Sequence, residues 1–560
     1  MSTSSDTPAR TAGTRPRLSI LVGALVGVLA LAAALAAGHL VAAFVGVNAS
    51  PYLAVGNSAI DLTPTALKDY AVRTFGVYDK IVLLGSMAVV MVLVAALAGV
   101  LSRRNALPGV VVIALFGIVG GVAVFSRPDL GQLSLLAPAA SLVAGVLVFR
   151  FLHNVALRRA GTIAAEKRSA GGTAEDAGAD TDENVATEEE TAESADEPSG
   201  TTLSANRRNF LIGAGGVAVG AGAAGLGGQL IGDSMSAESS RADIGSLTPA
   251  RTAPAIPADA DFAKLGTPTF LTPNQDFYRV DTALVVPQVS AEDWTLRIHG
   301  MVDNELTLDF EDIRSRDLIE RTITMTCVSN EVGGPYVSTA NFLGVNMWDL
   351  LEEAGVQQGA EQIFSTSVDG WTAGSPVEAS LDRNRGAMLA IGMNGEPLPV
   401  EHGFPARLVV PGLYGYVSAT KWLKDIELTT YAKRRMYWLD RGWGEKGPIK
   451  TMSRIDSPKG FQAFPKGKVV VSGIAWAQNT GVEKVEIRLD NGEWQQTQLS
   501  TEVNINTWRM WNIELDVPAA GSHQVTSRAT DKNGYVQTEE RVGTVPDGAT
   551  GLHNIFFTTT

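Results

Sequence analysis

Cysteine is almost absent: one residue, Cys327, in a chain of 560. That excludes a disulfide-stapled scaffold and a structural zinc site built from thiolates. The chain also lacks a C-x-x-C-H haem-attachment motif and any flavin fingerprint. Aromatic residues are sparse, at 10 Trp, 10 Tyr and 18 Phe, so any aromatic cluster is easy to place. Bases are outnumbered by acids, 45 to 59, giving a formal charge of −14 that argues against nucleic acid as a partner. The deficit is local, however. Residues 171–200 hold eleven acids and no base, so −11 of the −14 lies there and the acidic average says little about substrate.

What is plentiful is apolar sequence. The length allows three or four domains. Apolar residues make up 45 % of the chain and the mean hydropathy is +0.10. Four apolar stretches, 18–47, 81–101, 106–125 and 130–152, each approach the ~20 residues that cross a bilayer as helix. Arg10, Arg15 and Arg17 precede the first, Arg103 and Arg104 separate the second and third, and Arg158, Arg159, Lys167 and Arg168 follow the fourth. Bases in the intervening loops are balanced by acids (Lys68, Arg73 and Lys80 against Asp61, Asp69 and Asp79; Arg127 beside Asp129). The positive-inside rule therefore places the N-terminus and residue 160 in the cytoplasm. His39 and His153 fall near opposite faces of the bilayer, which suits interfacial or capping roles better than a shared haem.

Residues 161–205 read as an acidic disordered linker, too poor in large apolar residues to offset the entropy of ordering. Residues 206–232, NRRNFLIGAGGVAVGAGAAGLGGQLI and its flank, pair Arg207 and Arg208 ahead of a Gly/Ala-rich apolar run. This resembles a twin-arginine export signal; an ordinary Gly-rich membrane helix is the alternative. Either reading puts the rest of the chain outside the cytoplasm, with a fifth, retained anchor expected.

The soluble part divides at about 445. Up to there, WTLRIHG (294–300) and ARLVVPG (406–412) predict strands, and NMWDLLEEAGV (346–356) predicts an amphipathic helix closed by Gly355. Without regular βαβ alternation this is an α+β domain, 233–445. From 446 to 560, strand-like runs recur about every ten residues, with turns at Asn491-Gly492 and Asn533-Gly534, as in an immunoglobulin-type β-sandwich. Cys327 follows an alternating strand and opens a polar, Gly-rich loop with Ser329, Asn330, Gly333 and Gly334. A small buried hydrophobe is the bland reading. The loop instead favours a presented thiol, either a nucleophile or a soft metal ligand. As a nucleophile it would need a base, and His299 and His402 are the candidates.

Four segments give the sequence a family likeness: TPNQDFYR (272–279), TMTCVSNEVGG (324–334), FLGVNMWDLLEEAGV (342–356) and MNGEPLPVEHGFPARLVVPGLYGYVSATKWLKDIEL (393–428). Residues 268–430 resemble the sulfite oxidase family of molybdopterin enzymes, and 450–545, with WRMWNIEL and RATDKNG, resemble that family's C-terminal dimerisation domain. After the N-terminal transmembrane helices read from the apolar stretches, the resemblance implies an α+β sulfite-oxidase-type molybdopterin domain and then an immunoglobulin-like β-sandwich. It also implies a molybdenum–molybdopterin cofactor. On it, Cys327 is the protein's ligand to molybdenum. His402, Arg407, Gly415, Tyr416, Ser418 and Lys421 contact phosphate and pterin, together with Asn274, Phe277, Tyr278, Arg279, Ser329 and Asp369. A guanidinium fork suits a phosphate.

The departures bear on substrate. Sulfite oxidases proper carry a C-x-G-N-R-type basic sequence after the cysteine, where this chain has Glu331. Their Arg-Asn-His run is replaced by Arg279-Val280-Asp281-Thr282, and their active-site Tyr by Trp371 in DGWTAGSP. Cys327, Arg279 and Trp371 are thus the expected catalytic residues. Loss of positive charge favours a neutral S- or N-oxide over sulfite. The expectation is a membrane-anchored molybdopterin oxidoreductase performing oxygen-atom transfer. Its electrons go to or come from a separate carrier, quinone or cytochrome; a homodimer is expected and nucleic acid is not. The alternatives are a protein methionine-sulfoxide reductase of the same cofactor class and a cofactor-free membrane interaction module.

Overall fold

A computed structural model describes residues 17–64, 67, 70, 71, 74, 75, 78–127, 130–172, 215–223 and 237–560. Residues 173–205 of the linker and most of the signal-like segment lie outside these residues; 161–172, expected to be disordered, instead continue the preceding apolar helix to Gly172, and within the signal-like segment only 215–223 is described, as helix. The chain forms two compact units, 1–234 and 235–560.

In the first unit the apolar stretches are helices: α1 (Ile20–Val45), α3 (Asp79–Leu101), α4 (Leu107–Phe125) and α5 (Leu136–Gly172), with a shorter α2 (Pro51–Leu62) after α1. Among the described residues four helices are long and apolar enough to cross a membrane. Small residues set their spacing, since helices in lipid associate by close packing rather than by hydrophobic burial. A Cβ at Gly27 of α1 would lie 2.0 Å from the Ala95 carbonyl of α3, and one at Gly99 of α3 would lie 2.0 Å from the Gly23 carbonyl. Gly109 of α4 likewise leaves the notch that Phe149 of α5 fills. His153 is buried, and its Nε2 donates to the Ser102 carbonyl at 2.6 Å, tying α5 to the end of α3.

The second unit opens with α6 (Ala237–Ile244) and contains two sheets of an α+β domain. One has the order β2-β1-β10-β5-β6, from β1 (Thr295–Gly300), β2 (Leu306–Asp309), β5 (Gln362–Ser367), β6 (Thr372–Pro376) and β10 (Leu423–Thr429). The other has the order β3-β4-β7-β8, from β3 (Ile319–Thr326), β4 (Val337–Asn346), β7 (Met388–Met393) and β8 (Glu396–Pro397), with β9 (Arg407–Val409) pairing on β7. α7 (Phe310–Arg314) starts in a reciprocal capping box between Asp309 and Asp312. α8 (Met347–Ala354) buries Trp348, Leu350 and Leu351 and ends where Gly355 turns left-handed at φ 69°. Short α9 (Val377–Leu381) and α10 (Gly415–Ser418) complete the domain.

Residues 452–559 form the expected sandwich. One sheet runs β11-β13-β17-β16, from β11 (Met452–Ser457), β13 (Gly467–Trp476), β16 (Gln498–Leu499) and β17 (Arg509–Val517). The other runs β12-β19-β18-β14-β15, from β12 (Ala463–Phe464), β14 (Val482–Leu489), β15 (Trp494–Gln496), β18 (Gly521–Asp531) and β19 (His553–Thr559). Both turns fall where the sequence puts them. At 489–494, however, the left-handed residue is Asp490 rather than Asn491 or Gly492; its carboxylate accepts from Gln524 N and ties the turn to the neighbouring β18.

The sandwich also grips the first domain. A core of Ala260, Phe270, Val332, Val337, Met452, Ile474, Trp476 and Trp508 spans the two. β3 is an edge strand, and its outer hydrogen-bonding groups are taken up by sandwich loops. Thr324 N donates to Asn506 O (3.0 Å), Gln478 Nε2 to Thr324 O (2.7 Å), and Asn504 Nδ2 to Thr322 O (3.0 Å). Covering the edge protects it from foreign strands and fixes the strand that ends in Cys327.

Candidate functional site

Cys327 lies one residue past β3, where the chain turns into the loop returning to β4. The loop is closed by Cys327 N donating to Tyr336 O (3.0 Å) and by Asn330, whose N donates to Cys327 O and whose Oδ1 accepts from Tyr336 N (2.8 Å). Gly333 supplies a left-handed turn, φ 82°, directly against the His553 ring. The sequence pattern suggested a presented thiol; the structure instead buries it, at 8 % exposure. The polar loop closes over its own first residue because its hydrogen bonds turn inward. Burial pushes the thiol pKa up, while the backbone and hydroxyl of Ser329 both hydrogen-bond to it and pull it down. His299 is not its base: the His299 Nε2 engages Asp425 Oδ2 at 3.0 Å on the other sheet.

Around this thiol the expected residues assemble from three segments. From the first, Phe277 stacks on Tyr278 (ring centroids 5.4 Å) and meets His402 edge-on at 5.4 Å. Tyr278 is close enough to Cys327 to influence its charge, and burial with that neighbour raises the phenol pKa. The second segment holds His402, whose Nε2 donates to the Asn274 carbonyl at 2.9 Å, leaving Nδ1 as an acceptor. Burial lowers the His402 pKa to about 4, so the ring is neutral. Asn274 is fixed in turn by Asn394 (2.8 Å) and Glu396.

Arg407, at the start of β9, is the most informative residue. It is 4 % exposed, donates from Nη1 to the His402 carbonyl (3.0 Å) and lies over the Phe342 ring at 5.8 Å. Its Nε has no hydrogen-bond partner and it has no ion pair among the described residues. Desolvation drives its pKa down to about 10. A buried guanidinium without a carboxylate is costly and is a seat for an anion.

The other cations are already matched. Lys421 Nζ and Arg279 Nε each bind Asp281 Oδ2 at 2.8 Å, and Asp281 is 5 % exposed. Burial still lowers the Lys421 pKa to about 8. Arg279, Phe277, Glu401 and His402 line a cavity of ≈ 380 Å³. Glu331, next to the cysteine loop, is exposed.

Not every expected residue faces this cluster. Asp369 caps the β5–β6 hairpin by accepting from Trp371 N (3.1 Å), and that turn is tied to Trp422, beside Lys421, through Val368 N (2.8 Å). Trp371 is half-buried there. Gly415 passes closest: a Cβ on it would lie 3.9 Å from the Tyr278 hydroxyl. Ser418 Oγ is spent on the Leu413 and Tyr414 carbonyls, and Tyr416 donates to Gly444 O (2.6 Å) against Trp443. These two support the loop rather than enter the cluster. The residue missed is Tyr414, buried and electrostatically coupled to Cys327.

A second cleft of ≈ 590 Å³ runs along the cysteine loop (Gly333, Pro335, Ser338) and the sandwich (Arg454, Asp456, His553). Arg454 pairs with Asp456 at 2.9 Å and donates to the Gly334 carbonyl at 2.9 Å. Burial lowers the His553 pKa to about 4.

Among the described residues no three His, Cys, Asp or Glu side chains converge as metal ligands. A metal at Cys327 would therefore take most of its donors from a non-protein group, and the unpaired Arg407 fits an anionic one. The donor set suits a phosphorylated dithiolene cofactor.

Comparison with known proteins agrees. Residues 283–438 match the oxidoreductase molybdopterin binding domain and 450–559 the Mo-co oxidoreductase dimerisation domain. Human mitochondrial sulfite oxidase is 28 % identical over 322 residues, 49 % of this chain and 59 % of that protein. An uncharacterized oxidoreductase of Bacillus subtilis, YuiH, is 34 % identical over 154 residues, 28 % of this chain and 74 % of that one. Among solved structures, the sulfane dehydrogenase SoxCD of Paracoccus pantotrophus is 24 % identical with a TM-score of 0.45, over 51 % of this chain and 80 % of that one. The chain thus spans about three-fifths of the mammalian relatives it matches. With both domain models in sequence and the B. subtilis relative matched over most of its length, this chain belongs to the sulfite oxidase family of molybdopterin-dependent oxidoreductases.

Proposed function

We propose that this protein is a membrane-anchored oxidoreductase that exchanges an oxygen atom with a small S- or N-oxide, or a sulfite-type substrate, and two electrons with a separate carrier. One observation carries the reading: a buried, free Cys327 thiol and a buried Arg407 without a carboxylate partner, both close enough to Tyr278 to act on its charge. Molybdenum held by a pterin dithiolene supplies the oxygen-transfer and two-electron chemistry when bound, and Cys327 is its protein ligand.

The chain's own residues prepare the site. Ser329 hydrogen-bonds to the thiol and favours the thiolate that a metal requires. Arg407 takes the cofactor's phosphate, and His402, neutral and held by its Nε2, offers Nδ1 as an acceptor. Tyr278, Phe277 and Phe342 form the aromatic wall against which a flat ring system packs. Catalytic roles for Arg279 and Trp371 remain part of the proposal. Asp281 neutralises one of the two charges on Arg279 and Lys421, which reduces the positive charge open to an anionic substrate. That balance supports a neutral substrate.

The size of the cleft along Gly333–Ser338 supports a second reading, a reductase for methionine sulfoxide within a polypeptide. The bases flanking the apolar helices support a cytoplasmic N-terminus and an extracytoplasmic catalytic half at the plasma membrane. The dimerisation-type sandwich supports a homodimer. A panel of sulfite, dimethyl sulfoxide, trimethylamine N-oxide and a methionine-sulfoxide peptide, assayed with artificial donors and acceptors, tests the substrate. Turnover of the neutral compounds at least tenfold above sulfite in kcat/KM is expected. Efficient sulfite turnover would overturn the charge argument.

A further inference from the structure

The helical unit holds a partly open cavity of ≈ 340 Å³ that the chemistry above does not use. It is lined by α1, α2, α3, α4 and α5, almost wholly by apolar atoms, and among the described residues no Asp, Glu, Lys, Arg or His faces it. Ions, nucleotides and polar metabolites are thereby excluded. Its polar groups are three hydroxyls, of Tyr52, Ser86 and Ser141. They donate to the Leu84 (2.5 Å), Leu83 (2.8 Å) and Ala34 (2.6 Å) carbonyls, which lie within helices and accept from helical N–H groups as well, so each hydroxyl can turn its proton to a guest's carbonyl or accept from a guest's hydroxyl. The rings of Phe116, Phe149 and Tyr52 supply flat apolar walls.

The helices around this space are closely packed. A Cβ on Gly120 would lie 2.8 Å from Pro51, and one on Gly117 would meet Leu142 at 3.0 Å. The space is therefore bounded by tight contacts and is not the product of loose packing. An apolar void between helices forfeits the dispersion contacts that hold such a unit together, so an apolar guest is favoured. A guest with an aromatic-sized ring and one or two carbonyl or hydroxyl groups matches both the walls and the hydroxyls.

We propose that this cavity binds the ring and first isoprene units of a membrane quinone. The inference rests on the reading above that the enzyme exchanges electrons with a separate carrier. The chain has no haem-attachment or flavin motif, and His153, whose Nε2 is bound to Ser102 O, is not placed to ligate a haem through that atom. A quinone would bring that carrier to a unit that otherwise serves only as an anchor.

The test uses the full chain in nanodiscs of phosphatidylcholine and phosphatidylglycerol, photolabelled with an azido-ubiquinone and competed with decylubiquinone. Label is expected on peptides from 51–62 and 79–101 and should be displaced by the competitor. Tyr52→Phe, which removes one hydroxyl, should weaken competition about three- to tenfold. Val55→Phe, which fills the cavity, should weaken it more than tenfold. Label spread over all four long helices, displacement by added phospholipid as effective as by decylubiquinone, or unaltered competition in Val55→Phe would each overturn the assignment. The assay is repeated on Cys327→Ser protein. Quinone binding there, with no molybdenum, separates a failure of the enzyme reading from a failure of this one.

Discussion

Arg407→Met isolates the cost of the anion seat. In the cofactor-free protein the guanidinium is buried without a carboxylate, and desolvation lowers its pKa from the ordinary arginine value to about 10. That depression corresponds to about 3 kcal/mol of destabilisation of the charged form. Methionine fills much of the same volume without charge. The substitution also removes the donor to the His402 carbonyl, which costs about 1 kcal/mol. The net expectation is a cofactor-free variant more stable than the parent by about 2 kcal/mol, a melting shift of a few degrees. All ten tryptophans lie in the second unit, so intrinsic fluorescence follows its unfolding directly. Protein made in a host unable to synthesise molybdopterin supplies the reference. The same substitution should cut cofactor retention at least tenfold in a competent host. A variant that is less stable by 2 kcal/mol or more, yet keeps its cofactor, would show Arg407 to be a structural strut and refute the argument.

Other outcomes follow from neighbouring contacts. Gly333→Ala forces φ 82° on a residue with a Cβ and sets that Cβ 2.3 Å from His553 Nε2, so a loss of about 2–3 kcal/mol and slower metal incorporation are expected in denaturant and metal assays. His402, buried, and His553, half-buried, are both neutral with pKa values near 4 against 6.5 unfolded, so the unfolded chain gains protons first. Stability of the cofactor-free protein should therefore be intact above pH 6.5 and fall by up to about 3 kcal/mol per histidine as pH drops toward 4. Urea midpoints between pH 4 and 7 check this, and a flat profile contradicts it. Asp281→Asn strands two cations, of which Lys421 is already lowered to about 8. The variant should lose about 3 kcal/mol and show a lower KM for sulfite relative to neutral substrates, measured with an artificial acceptor.

Much of this was legible in the sequence, for reasons that vary by element. The apolar helices and the sandwich strands announce themselves because their periodicity and length are local properties. Residues His402, Arg407 and Lys421 sit in one dense motif, so their convergence follows from order alone. The burial of Cys327 did not follow. The loop's Gly and polar content suggests exposure, but Asn330 turns its hydrogen bonds inward and the sandwich covers β3 from 150 or more residues away. Tyr416 and Ser418 share the motif yet face the loop's own backbone, since the four-residue helix α10 points successive side chains in different directions. Asp281 as a common partner of Arg279 and Lys421 likewise depends on a contact 140 residues long. Such long-range pairings are set by tertiary packing, which a single sequence does not encode by pattern.

The central claim is that Cys327 holds molybdenum at this site. Metal content of the purified full chain, made in a cofactor-competent host, tests it most directly. The account predicts one molybdenum per chain, lost in Cys327→Ser while the tryptophan unfolding transition is retained. Protein without molybdenum, or a Cys327→Ser variant that keeps a full complement of it, would contradict the account.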